Sequence, residues 1–193
     1  MTDSTKFDWE QHSYVEDDMI TKYPIHYSMH FTEEELQEIH KAGEKNGFIA
    51  AKVQLKGKEV VNHNKRKTSI SWIQPEGENL WLFSKAAQLL KTAPINTLQA
   101  FQYSVYYDGG HYKWHRDVGK EGDIVSQRII SGILQLSHPD DYKGGDLKID
   151  TGDTIVTAPK EYGLTTVFPA GWKHKVYPVT SGIRKTLVMW GLR

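Results

Sequence analysis

Between residues 32 and 91 apolar positions fall at helical spacing twice, and beyond residue 97 they alternate with polar ones almost without interruption. Thr32 followed three residues later by Glu35 is a capping-box signature, and Leu36, Ile39 and Ala42 carry one helical face on to Lys45-Asn46-Gly47. Leu80 to Lys91 repeats the spacing and predicts a second helix. Strands are predicted at Tyr23 to His30, Phe48 to Leu55 and Lys67 to Gln74. Others follow at Leu98 to Tyr107, Arg128 to Ser137, Leu147 to Asp150, Thr165 to Phe168, His174 to Pro178 and Lys185 to Leu192. Turn chemistry separates the later strands at Asp108-Gly109-Gly110, His138-Pro139-Asp140-Asp141, Lys143-Gly144-Gly145-Asp146, Thr151-Gly152-Asp153 and Thr180-Ser181-Gly182. Helices first and many short strands afterwards describe an α+β chain whose C-terminal half is a β-sandwich or open barrel. No internal repeat or low-complexity linker divides it, so residues 1–193 are expected to form a single domain.

Composition narrows the chemistry more than the fold. A chain of 193 residues is long enough to bury roughly 70% of its unfolded surface in one core. Its 24 basic residues balance 24 acidic ones, so nothing at the level of the whole chain argues for a nucleic-acid or membrane partner. The absence of cysteine removes disulfides, thiolate ligands and cysteine nucleophiles together, and leaves oxygen and imidazole as the metal-binding groups. Residues Met1 to Glu10 show no basic stretch followed by an apolar run, and no run of 18 apolar residues occurs anywhere. A cytoplasmic location is the expectation.

Within the strand-rich half, the stretch Tyr106-Tyr107-Asp108-Gly109-Gly110-His111-Tyr112-Lys113-Trp114-His115-Arg116-Asp117 holds the candidate site. Residues two apart on extended chain share a face, so His115 and Asp117 can converge on one ion. His174 is the candidate third ligand. Two histidines and one carboxylate form the facial triad that holds non-haem Fe(II) and leaves positions open. His111 lies in a Gly-rich turn and is expected to face solvent or substrate. His12, His26, His30, His40, His63 and His138 have no partner pattern. The basic run Lys56, Lys58, Lys65, Arg66 and Lys67 reads as a solvated loop, or else as one that closes over a peptide or acidic partner.

Four pieces resemble the Fe(II)- and 2-oxoglutarate-dependent dioxygenases, on the prolyl 4-hydroxylase-like branch with its small bacterial and phage members. They are the stretch 106–117, Arg128 to Ser137, Tyr142-Lys143-Gly144-Gly145-Asp146-Leu147, and His174 to Trp190. The resemblance implies a double-stranded β-helix, a jelly-roll or cupin-like barrel with supporting N-terminal helices. It places the metal ligands at His115, Asp117 and His174 and the anchor for the far carboxylate of 2-oxoglutarate at Arg184. A guanidinium is always charged and forks onto a carboxylate, which suits that task. Strand alternation puts only one of Arg184 and Lys185 inside. Tyr106, Gln135 and Thr186 are implied neighbours of the cosubstrate, and Tyr112 and Trp190 implied walls of the substrate pocket. Fe(II), 2-oxoglutarate and O2 are the implied cofactors, with ascorbate a candidate addition, and hydroxylation of a prolyl residue in a peptide or protein, or of an amino acid, is the implied reaction. Two other functions stay open: a nucleic-acid demethylase, which needs a basic face and base-stacking aromatics, and a non-catalytic cupin-like metal-binding protein, which needs no arginine placed for a dicarboxylate.

Overall fold

The computed structural model describes residues 24–55, 58–119 and 122–193. Its elements in order are β1 (Ile25–Tyr27), α1 (Glu33–Lys45), β2 (Ile49–Ala50), β3 (Val53–Leu55), β4 (Lys58–Val60), β5 (Arg66–Lys67), β6 (Ser69–Ile73), α2 (Leu80–Leu90), β7 (Thr97–Leu98), β8 (Phe101–Tyr106) and β9 (His111–His115). They continue with β10 (Arg128–Gln135), β11 (Tyr142–Gly144), β12 (Leu147–Asp150), β13 (Ile155–Thr157), β14 (Thr165–Pro169), β15 (Lys173–Val176), β16 (Val179–Gly182) and β17 (Arg184–Leu192). An eight-stranded sheet runs β1-β14-β10-β17-β8-β6-β2, with β7 beside β17, and a five-stranded sheet runs β13-β12-β15-β9-β5. Every pairing is antiparallel. The two sheets close on each other as a double-stranded β-helix, and the ribbon β11-β16 adds to the wall beside Arg184.

Both helices lie on the outer face of the larger sheet. Helix α1 starts where its sequence signals: Glu35 N–H donates to Thr32 Oγ1 at 3.3 Å while Thr32 N–H donates to Glu35 Oε2 at 2.8 Å. It buries Leu36, Ile39 and Gly43. Gly43 is where the helix comes closest to the sheet, since a Cβ there would fall 2.3 Å from the Tyr103 ring. Helix α2 buries Leu82, Phe83, Ala86, Ala87, Leu89 and Leu90, and Phe83 stacks on Phe101 with centroids 3.9 Å apart. This outer core explains why β8 is buried along its whole length. Phe101, Tyr103 and Val105 face the helices, and Gln102, Ser104 and Tyr106 face the barrel interior.

Between the sheets a second core gathers Tyr106, Ile133, Tyr142, Leu147, Ile149, Phe168, Val176, Val179, Val188, Trp190 and Leu192. The alternation along β17 assigns Arg184, Thr186, Val188 and Trp190 to this inner side and Leu187 and Met189 to the helices. Lys185 points out and pairs with Glu44 at 2.9 Å.

Several predicted strands divide. Phe48 to Leu55 becomes β2 and β3, because Ala51 turns its N–H to Thr68 O at 2.9 Å. Leu98 to Tyr107 breaks at Gln99, whose N–H donates to Trp190 O at 3.1 Å. The basic run read as a loop holds β4, paired with β3. Thr180-Ser181-Gly182, expected to be a turn, is the end of β16. Gly182 permits this pairing: it has φ +76° and lies so near the chain at Asp141 that a Cβ would meet the carbonyl oxygen at 2.0 Å. The first predicted strand appears as Ile25–Tyr27, while Tyr23, His12 and the N-terminal segment read for targeting lie outside the described residues. No helix among the described residues is long and apolar enough to cross a membrane.

Candidate metal centre

Strand pairing builds the site. His115 ends β9 directly opposite His174 on β15, and Asp117 follows just beyond β9. The segment is braced by Asp117 N–H donating to Ala170 O at 3.0 Å and by the Arg116 guanidinium donating to Gly171 O. One ligand atom from each of His115, Asp117 and His174 lies within 4.8 Å of the others. His115 Nε2 is 3.7 Å from Asp117 Oδ1, and His174 Nε2 is 3.6 Å from Asp117 Oδ2. Those separations are too long for good hydrogen bonds and leave room for an ion between the groups.

The donor set fits a cation in its protonation as well as its spacing. His115 Nδ1–H donates to Lys113 O at 2.8 Å and His174 Nδ1–H to Trp172 O at 3.1 Å. A carbonyl only accepts, so both protons are held at Nδ1 and both Nε2 lone pairs face the centre. Burial first, then the adjacent His174, push the His115 pKa well below 6.5, with Asp117 opposing only in part. For Asp117 burial alone would raise the pKa. The polar groups around it, the two histidines first and then the Arg128 guanidinium, outweigh it and hold the carboxyl far below its usual range. Asp117 Oδ2 accepts from Ser131 Oγ at 2.7 Å and Trp190 Nε1 at 2.9 Å, which fixes the carboxylate and leaves Oδ1 uncommitted.

On the larger sheet, Arg184 is 1% exposed and sits opposite Tyr106, its Cζ 5.2 Å from that ring. Its Nη2 donates to Gln135 Oε1 at 3.3 Å. Thr186 lies on the same inner face, directly across from Gln135 and Ser104. Among the described residues Arg184 Nε has no hydrogen-bond partner, and neither has the hydroxyl of Tyr142, a residue 4% exposed. The two share a wall: a Cβ on Gly145 would fall 2.9 Å from Arg184 Cδ and 3.2 Å from Tyr142 Cε2. Unsatisfied buried donors are costly, and here a guanidinium and a phenol are left over together, as a dicarboxylate ligand would require.

The structure thus brings His115, Asp117 and His174 together, and separately Arg184, Tyr106, Gln135 and Thr186. Tyr112 stacks on His115 with centroids 3.4 Å apart. Trp190, expected as a pocket wall, stands behind Asp117 with Arg128 Cζ 3.7 Å over its ring. His111 turns away, its Nδ1–H donating to Gly109 O at 2.9 Å. One reading is corrected. Arg66, placed in a solvated basic run, is only 8% exposed, with its Cζ 4.5 Å over the Tyr112 ring. Strand β5 pairs Arg66 with Tyr112 and so carries it inward. Residues not foreseen are Ser131, Arg128, Arg66 and Tyr142. Inward alternation from Gln135 would have flagged Ser131, but nothing in the sequence separates Arg66 from the lysines around it.

Fold and site define a class: a double-stranded β-helix with a two-histidine, one-carboxylate facial triad. Residues 101–191 match the model of the 2OG-Fe(II) oxygenase superfamily, a stretch that carries all three triad residues and Arg184. A PKHD-type hydroxylase of Synechococcus sp. is 31% identical over 135 residues, covering 68% of this chain and 60% of the relative. One from Gloeothece citriformis is 32% identical over 108 residues, covering 53% and 49%. The chain therefore spans about half to three fifths of these relatives' length. A prolyl-4-hydroxylase of Pseudomonas putida shares the fold at TM-score 0.67 and 21% identity, over 88% of this chain and 92% of that one. A Trichoplax adhaerens prolyl hydroxylase, in complex with a peptide fragment of the hypoxia inducible factor oxygen degradation domain, shares it at TM-score 0.69 and 16% identity, over 89% and 84%.

Proposed function

We propose that this chain is an Fe(II)- and 2-oxoglutarate-dependent dioxygenase that hydroxylates an unactivated C–H on a prolyl residue of a peptide or protein, or on an amino acid. The observation that carries the reading is one interior holding both a triad with bare Nε2 atoms and, beside it, the unpaired donors of Arg184 and Tyr142. Names of the curated relatives support a hydroxylase, and the peptide complex of a structural neighbour supports a peptide substrate. A cytoplasmic setting, and ascorbate as an auxiliary reductant, are parts of the same proposal.

In this scheme His115, Asp117 and His174 hold the iron. Arg184, with Tyr142 beside it and Gln135, Thr186 and Tyr106 around it, holds the far carboxylate of 2-oxoglutarate. Bound there, iron and 2-oxoglutarate would supply the oxygen-activating chemistry, one atom of O2 entering succinate as 2-oxoglutarate loses CO2 and the other entering the substrate C–H. The protein keeps both imidazoles neutral at Nε2, locks the carboxylate through Ser131 and Trp190, and shields the interior with Tyr112 and Trp190. Arg184 argues against a cupin-like binder without a dicarboxylate. Of the exposed aromatics, Trp114 and Tyr177 already carry the Lys175 ammonium at 4.9 and 3.8 Å, which favours a peptide over stacked bases.

The test is succinate release with direct measurement of 2-oxoglutarate binding. Arg184→Ala should weaken binding by about 100-fold, the loss of a charge-assisted fork worth about 3 kcal/mol. Tyr142→Phe should weaken it about tenfold, and His174→Ala should abolish Fe(II)-dependent release. Unchanged 2-oxoglutarate binding in Arg184→Ala would move the anchor elsewhere, and wild-type succinate release from His174→Ala would remove the metal assignment.

A further inference from the structure

Two guanidiniums stand close to the candidate metal centre. Arg66 lies over Tyr112, which itself stacks on the ligand His115. Arg128 lies over Trp190, whose indole N–H is bonded to the ligand Asp117, and its Nη1 donates to Asp117 O at 3.3 Å. Each is thus one aromatic ring removed from a metal ligand. Arg128 is partly satisfied, since its Nε donates to Gln99 Oε1 at 2.7 Å. Arg66 is not. Its Nε is buried with no hydrogen-bond partner, and among the described residues no carboxylate pairs with it.

The charge of the loaded site makes this imbalance informative. A ferrous ion, the Asp117 carboxylate, dianionic 2-oxoglutarate and Arg184 would cancel one another, which leaves the charges of Arg66 and Arg128 without a further counter-charge among the described residues. A buried cation without a counter-charge is unfavourable, and the π-face of Tyr112 offsets only part of that. Arginine's flat fork suits a carboxylate better than any other anion of a peptide or amino acid.

Resting on the hydroxylase reading above, we propose that the substrate presents a carboxylate to Arg66, with Arg128 as the second cation, while its C–H faces the metal. The shared chemistry has two sources. One is the α-carboxylate of a free amino acid, and the other is an acidic side chain next to the prolyl residue of a peptide. Because Arg66 stands one ring from His115, the anion belongs to the reacting residue or its immediate neighbour. A second charge-bearing contact of this kind discriminates against amides, which would leave the guanidinium unpaired.

The experiment uses the full chain loaded anaerobically with Fe(II) and 2-oxoglutarate, titrated calorimetrically with two matched pairs of probes. These are L-proline against L-prolinamide, and Ac-Ala-Pro-Glu-NH2 against Ac-Ala-Pro-Gln-NH2. The expected result is at least about a tenfold tighter Kd for the acid in one pair, shrinking to about twofold in R66Q and partly retained in R66K, with the amide's Kd unchanged in both variants. The pair that shows the preference identifies the source. Equal affinities within both pairs would overturn the carboxylate proposal and leave the prolyl reading standing, as would an acid preference that survives R66Q. If none of the four probes binds while 2-oxoglutarate does, the prolyl reading falls and the proposal falls with it. The wild-type comparison needs no variant, so misfolding of R66Q would not remove the test.

Discussion

Each triad histidine owes its metal-facing lone pair to one backbone carbonyl two residues earlier, Lys113 O for His115 and Trp172 O for His174. This local bond lets a strand orient an imidazole with no dedicated partner side chain. It also carries a pH signature. The folded pKa of His115 lies well below the unfolded 6.5, so the unfolded state binds the extra proton first. Stability of the metal-free protein is then full above pH 6.5 and is lost as pH falls below it, by at most about 1.4 kcal/mol per pH unit for this one proton. Asp117, depressed from 3.8, adds a second loss at lower pH. His26 and His40 are lowered too, burial being the largest cause, so the informative comparison is with His115→Gln. Its melting temperature should fall less steeply than wild type between pH 7 and 5, and parallel slopes would contradict the buried, neutral imidazole. At this scale His115 and Asp117 were legible because two-residue spacing on extended chain is a local property. The bonds of Ser131 and Trp190 to Asp117 were not, because they join residues 14 and 73 positions apart through a register that no local pattern reveals.

Strands β8, β10 and β17 do two jobs with one alternation, giving one face to the helices and the other to the proposed cosubstrate pocket. That is why Arg184 and Lys185 part company, and why a phase argument could choose between them. Other elements were less readable. The ribbon β11-β16 looks like turn sequence because its glycines serve close approach rather than chain reversal alone. Gly145, at φ +66°, keeps space for Arg184. Gly145→Ala should cost about 1–3 kcal/mol through its left-handed backbone and should also weaken 2-oxoglutarate binding by displacing Arg184, while metal affinity stays near wild type. Gly152→Ala is the control. It has φ +92° with nothing within 4 Å of a Cβ, so it should share the stability loss without the binding loss. Equal 2-oxoglutarate affinity in the two variants would show that Gly145 is only a turn residue. The two helices were readable in full, since the capping box and the apolar spacing of α1 and α2 are local, whereas strands such as β7 and β13 are too short to leave a periodic trace.

Over the whole molecule the chemistry is divided between the sheets. The smaller sheet brings the proposed metal ligands, through β9, β15 and the chain just past β9, and the larger sheet brings Arg184, Gln135, Thr186 and Tyr106. Helices α1 and α2 stiffen the larger sheet from outside, so its inner face at Arg184 is backed by the main apolar core, while the segment of Asp117 is braced by the turn at 170–172 through Ala170 O and Gly171 O. The division predicts that iron can bind without 2-oxoglutarate, but that productive chelation needs both sheets at their observed spacing. Anaerobic titration of the Fe(II)-loaded protein with 2-oxoglutarate tests this most directly, through the visible charge-transfer band of a chelated 2-oxo acid. The band should grow to saturation in wild type and be absent in His115→Ala. Iron bound tightly by the wild-type protein with no band at any 2-oxoglutarate concentration would contradict the dioxygenase assignment and leave a metal-binding barrel in its place.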